Sequence, residues 1–148
     1  MSNTNELLID LLREVNRGLG KFVKDILAEH DLPITMGIVT RQIGSTPGIT
    51  ISELSRLTGI AKSHISKTIR ELDERGWVEK REDSTDQRLL RLYLNPIAIK
   101  YLEQARQDIR QRINELVADI PEERAIELVV GLTDIKAALE QVHQKEKK

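Results

Sequence analysis

Four side chains between Lys62 and Arg75 have the chemistry of polyanion recognition: Ser63, Ser66, Lys67 and Arg70. On a helical wheel of about 100° per residue they gather on one side, while Ile65, Ile69 and Leu72 fall on the other. The solvent face is then two hydroxyls, an ammonium and a guanidinium. Such cations neutralise phosphates and donate to guanine O6 and N7, and small hydroxyls permit close approach to base edges. Between Ala61 and Arg70 there are three basic residues and no acid, whereas Glu71, Asp73 and Glu74 follow. That order suits insertion into a DNA major groove by the N-terminal half of the helix. His64 lies beside this face, within reach of a flanking phosphate. An ordinary solvated helix could show a similar face, so the surrounding elements have to decide.

A second group lies in "VEKREDSTDQRLLRLYL", residues 78–94, where apolar residues alternate with period two as in a β-hairpin. Its tip mixes Lys80, Arg81 and Arg88 with Glu79, Glu82, Asp83 and Asp86. Mixed charge of this kind keeps an edge strand from pairing with other chains. Asp86 and Arg88 are two apart, which in an extended strand puts both on one face. The carboxylate would then orient the guanidinium by a charge-assisted hydrogen bond and present it to a narrow minor groove. Glu82 and Asp83 have no role in this reading beyond solubility.

The elements that must position these groups follow from periodicity and punctuation. Apolar residues recur at helical spacing from Glu6 to about Glu29, until Leu32-Pro33 interrupts and a second helix runs to about Ile43. "GSTPG" is turn chemistry. "TISE" is a capping box, Thr50 to Glu53, opening a short helix with Ile51, Leu54 and Leu57 inward and Gly59 as its left-handed cap. The helix 62–75 ends at Gly76, the hairpin follows, and Pro96 closes it. Two more helices run from Ala98 to about Val117 and from Pro121 through Val142, with a Lys-rich "KEKK" end expected to fray. The eight glycines are placed at turns and helix ends. Helix, helix, helix–turn–helix, hairpin, helix, helix is the winged-helix order: a mainly α fold with a small β-hairpin wing.

Composition narrows the function classes. A chain of 148 residues, 39% apolar and 32% charged, is one globular domain. Its net charge of -1 means that any anion-binding surface is local. The absence of cysteine excludes disulfides, thiolate zinc sites and thiol redox sensing. His30, His64 and His143 are too widely spaced to suggest a metal site. Ser63 and His64 are adjacent on a helix and diverge, so they make no nucleophile–base pair, and no phosphate-binding glycine loop is present. Neither an enzyme nor a cofactor is expected. The start lacks the pattern of a signal peptide, and no apolar run approaches the about 18–20 residues of a membrane span. A soluble, cytoplasmic chain with no membrane partner is the expectation.

Residues 49–94, "ITISELSRLTGIAKSHISKTIRELDERGWVEKREDSTDQRLLRLYL", resemble the MarR family of transcription regulators. "ISELSRLTGI" is similar to the family's first reader helix, "SHISKTIRELDERGWV" to its recognition helix and wing entry, and Asp86-Gln87-Arg88 to the Asp-x-Arg signature of its wing. The resemblance implies a homodimer knitted together by terminal helices, here 6–30 and 97–144. These flank a winged helix-turn-helix DNA-binding region at 33–95, with the recognition helix at about 62–75 and the wing at about 77–95. It further implies sequence-specific binding to a palindromic operator in double-stranded DNA, repression, and release by a small amphipathic or phenolic effector. Arg41, Arg106 and Tyr101 are candidates either for polarity in an effector crevice or for ordinary surface and interhelix positions, and the sequence identifies no ligand. The chain departs from the family pattern at Leu94-Asn95-Pro96, where a Leu-Thr turn is usual, at Ala61, where a capping hydroxyl is usual, and at Trp77, where a smaller aliphatic is usual. Two other readings stay open: a winged helix that binds protein, and a ligand-binding dimer with weak, non-specific DNA affinity.

Overall fold

A computed structural model describes residues 2–146. The elements run α1 (Asn3–Glu29), α2 (Ile34–Ser45), α3 (Ile51–Thr58), α4 (Lys62–Glu74), β1 (Val78–Glu82), β2 (Leu90–Leu94), α5 (Pro96–Val117) and α6 (Glu122–Glu146). Local chemistry sets their ends. Thr50 accepts from the Glu53 N–H at 3.2 Å, and Gly59 closes α3 at φ 73°. Ala61 opens α4 with no side-chain cap. Asn95 Oδ1 accepts from the Ala98 N–H at 2.9 Å, so Asn95-Pro96 starts α5 with a proper cap in place of the usual hydroxyl.

The chain divides into two compact units, Met1–Ile109 and Arg110–Lys148. In the first, the end of α1 and the inward residues of α2 (Met36, Val39, Ile43) meet Leu54 of α3 and the Ile65, Ile69, Leu72 stripe of α4. Trp77, Val78 and Leu92 carry this core into the base of the hairpin, and Ala98, Leu102 and Ala105 of α5 complete it. Two expectations need correction. Leu57 is exposed, because the eight-residue α3 buries only Leu54 fully. Four glycines lie inside helices rather than at their ends: Gly18, Gly20, Gly37 and Gly131. Gly37 has a packing reason, since a Cβ there would sit 2.8 Å from Leu27 Cδ1 where α2 approaches α1. The antiparallel register pairs Val78 with Leu94 and Glu82 with Leu90; Leu92 is fully buried, but Leu90 sits at the outer end of the ladder and is exposed.

The hairpin is not attached by its base alone. The Gly48 N–H donates to the Leu92 carbonyl at 2.8 Å and the Leu92 N–H to the Ile49 carbonyl at 3.0 Å, a single bridge on the other side of β2. The turn between α2 and α3 is thus tied to the returning strand.

The apolar stripe of α1 is largely uncovered. Only Ile26 and Leu27 of this helix are buried, while Leu7, Leu11 and Val15 are 58%, 48% and 53% exposed. In the second unit α6 buries no residue at all. Helix α6 extends through Lys145 and Glu146, whereas Lys147 and Lys148 of the terminus expected to fray lie outside the described residues. No described helix is long and apolar enough to cross a membrane.

Candidate nucleic-acid interface

The inward stripe of α4 orients its outer face. Ile65, Ile69 and Leu72 are fully buried or nearly so, and buried Thr68 returns its hydroxyl to the His64 carbonyl at 3.1 Å. With those four positions fixed, Ser63, His64, Lys67 and Arg70 are exposed and Ser66 is half-buried at the edge. Lys67 and Arg70 have no ion-pair partner among the described residues. The nearby carboxylate of Asp73 is engaged by Lys80 at 3.3 Å. Lys67 therefore presents its ammonium and Arg70 its forked N–H donors to solvent, with donor capacity left for an outside acceptor.

The wing carries the other candidate pair. Arg88 Nε and Nη2 donate to Asp86 Oδ1 and Oδ2 at 3.2 and 3.4 Å, and the Arg88 backbone N–H donates to Oδ1 at 3.0 Å. The side chain of Arg88 is 91% exposed. The contact foreseen from sequence is present, but its geometry is not that of one strand face. Strand β1 ends at Glu82 and β2 begins at Leu90, so Asp86 and Arg88 both lie in the connecting turn. What joins them is an Asx-type turn, in which a short carboxylate accepts from the backbone two residues on.

Asp83, read from sequence as a solubilising charge, is instead the hub of that turn. It accepts from the Thr85 N–H and hydroxyl, from the Asp86 N–H at 3.0 Å, and from Arg91 Nε at 2.7 Å. The Arg91 guanidinium and then these turn donors hold its carboxyl far below the usual carboxylate range. Arg91, whose own pKa is raised by that partner, was missed as well. The sequence offered one clue, since Asp83-Ser84-Thr85 is an Asx-turn spacing. Nothing local pointed to Arg91. Glu82 is exposed on the outer rung of the ladder.

A cleft of about 770 Å³ opens at the C-terminal end of α4, lined by Ala28, Asp31, Leu32, Pro33, Arg75, Trp77 and Tyr101. Arg75, the C-cap of α4, donates to the Asp31 carbonyl at 2.7 Å and lies over the Trp77 ring at 5.0 Å. Trp77 is buried and packs on Tyr101 at 4.9 Å, and the Tyr101 hydroxyl donates to the His30 carbonyl. Of the crevice candidates only Tyr101 lies here. Arg41 is exposed on α2, and Arg106 pairs with Glu103 at 3.7 Å. Arg75 was not foreseen.

Residues 37–89, from within α2 to the tip of the wing, match the family model described as MarR family. Over that stretch the chain is similar to the MarR family. Among curated proteins it is similar to the transcriptional repressor MprA of Escherichia coli strain K12, 33% identical over 67 residues, which are 45% of this chain. The match covers 38% of MprA, little more than a third of that relative's length. Among solved structures, a cysteine-to-serine mutant of MarR from E. coli superposes with a TM-score of 0.80 at 22% identity, covering 86% of this chain and 95% of that one. Streptococcus pneumoniae FabT, solved in complex with DNA, gives 0.76 at 17% identity over 93% of this chain and 99% of the other. BldR from Sulfolobus solfataricus gives 0.73 at 22% identity, covering 93% and 99%. At these identities the likeness is one of fold. The MarR-family architecture, a mainly helical chain with a two-stranded wing, is the one described above.

Proposed function

We propose that this chain is a homodimeric, sequence-specific DNA-binding regulator that represses transcription in the cytoplasm and is released from its operator by a small molecule. The observation that carries the reading is the outer face of α4: exposed hydroxyls and cations, free of acid in its first half, held outward by a buried stripe. Ser63, Ser66, Lys67 and Arg70 would address the major groove, His64 a flanking phosphate, and Arg88, oriented by Asp86, the minor groove or its phosphates. Repression is supported by the similarity to MprA, which is named a repressor.

The dimer is supported by the apolar stripes of α1 and α6, which the chain itself leaves uncovered. Two copies would bring two recognition helices to half-sites about one helical turn apart, which calls for a palindromic operator. The cleft beside Arg75 is suited to an amphipathic or phenolic anion. Its carboxylate could compete with the Asp31 carbonyl for Arg75 while its ring stacks on Trp77.

Selection of bound duplexes from a random pool, followed by titration of the tightest one, tests the function. A palindromic winner whose log affinity falls steeply with log salt is expected. No shift with any duplex would favour a protein-binding module. Equal affinity for selected and random duplexes would favour a ligand-binding dimer with non-specific DNA affinity.

A further inference from the structure

The Asp86–Arg88 contact lies at the end of a longer chain of polar groups, and its other end is outside the wing. Arg91, on β2, points its Nε to Asp83 at 2.7 Å and its Nη1 to the Gly48 carbonyl at 2.9 Å. The same Nη1 lies 4.0 Å from Glu53 Oε1, and Glu53 is the residue whose N–H the Thr50 side chain caps. One planar guanidinium thus addresses the tip of the wing, the turn before α3 and the first turn of α3. From Asp83 the chain continues through the Asp86 N–H to the Asp86 side chain, which holds both the backbone and the guanidinium of Arg88.

The turn around Gly48 is built closely about this guanidinium. Gly48 has φ +87°, and a Cβ there would sit 3.1 Å from the Tyr93 hydroxyl oxygen and 3.8 Å from Arg91 Cδ. A side chain at 48 would be strained in its backbone and would push the carbonyl away from Arg91. Lysine could not replace Arg91 fully, because an ammonium is a point donor and cannot fork between Asp83 and Gly48 in fixed directions.

We propose that Arg91 and Asp83 are positioning residues that set the direction in which Arg88 is presented, using the helix–turn–helix as the reference frame. Arg88 is almost wholly exposed, and without a fixed base its guanidinium would sample many rotamers. Ordering it on binding would then oppose association. The wing is held in register with the recognition helix because Arg91 anchors the tip to the turn leading into α3. This inference rests on the DNA-binding reading for its binding assay only.

The decisive experiment is a double-mutant cycle with the tightest selected duplex, comparing Arg91→Ala in the wild-type and Arg88→Ala backgrounds. If Arg91 acts through Arg88, Arg91→Ala weakens binding about tenfold in the first background and less than about twofold in the second. Asp83→Asn should follow the same pattern, and Arg91→Lys should recover part of the loss. Equal losses in the two backgrounds, or no loss, would overturn the proposal. A readout without DNA accompanies it: trypsin cleavage after Arg88 in the free protein, followed by mass spectrometry. Arg91→Ala and Asp83→Asn should accelerate that cut while leaving the thermal transition of the core in place. An unchanged rate would overturn the proposal. If the wild type binds no duplex, the DNA reading fails and cleavage alone decides the positioning role.

Discussion

Asp86→Ala removes a negative charge from a surface that would face phosphates, yet it is expected to weaken DNA binding. Simple charge counting gives the opposite sign. The carboxylate holds the Arg88 backbone N–H at 3.0 Å and its Nε at 3.2 Å, and losing both frees the turn and the side chain together. A titration of the variant against wild type on one duplex checks this, and tighter binding would refute the orienting role. Asp83 gives a pH signature. Its folded pKa lies below the unfolded value, so its stabilisation is complete above the ordinary 3.8 and is lost only as pH falls through the lower folded value. In an acid titration followed by NMR, the tip amides of Thr85 and Asp86 should stay unmoved until the pH falls well below 3.8, where Asp83 protonates. Residues at this scale were legible where the partner is close in sequence. Asp86 and Arg88 could be paired on paper, even though the expected strand face proved to be a turn. Asp83 and Arg91 could not, because their meaning depends on Gly48, which lies 43 residues from Arg91.

Among the elements, α4 begins with no side-chain cap, as α2 does after Pro33. Ala61→Ser would supply the missing acceptor and is expected to raise stability by about 1 kcal/mol, seen as a higher midpoint in denaturant. On the outer face, Lys67→Ala should lower the slope of log affinity against log salt by about one unit if the ammonium meets a phosphate. Combined with Arg88→Ala it should cost well over tenfold in affinity; a loss of no more than about twofold would overturn the residue assignment. Elements were the most readable level. The Thr50 cap, the glycines at 59 and 76 and the Ile65, Ile69, Leu72 spacing gave boundaries and faces that the fold keeps. Leu57 and the helical glycines were misread for one reason: propensity and periodicity describe a segment alone, while burial and close approach are set by the neighbour it meets.

For the whole molecule, periodicity reveals that a face is apolar but not what covers it. The stripes of α1 and α6 were visible in the sequence, and a single chain leaves them open. If a second copy covers them, Leu11→Glu should be tolerated by the single chain, where Leu11 is already 48% exposed, yet should break the assembly. Sedimentation should show a monomer with an unchanged helical spectrum. Affinity for a palindromic duplex should fall toward that for a single half-site, since each chain carries one recognition helix. A variant that sediments as the wild type would argue against α1 as part of the interface.

The chain contains one tryptophan, and it is Trp77. With a guanidinium over its ring and a tyrosine against its side, its excited state samples the junction between the end of α4 and the cleft beside Arg75. The protein is therefore born with a single-site fluorophore at the place where an effector would be sensed. A compound that draws Arg75 from the indole should change its emission without any label, and Arg75→Ala should set the limit of that change. Occupancy of the cleft and release of DNA can then be followed in one cuvette, as two colours of one titration.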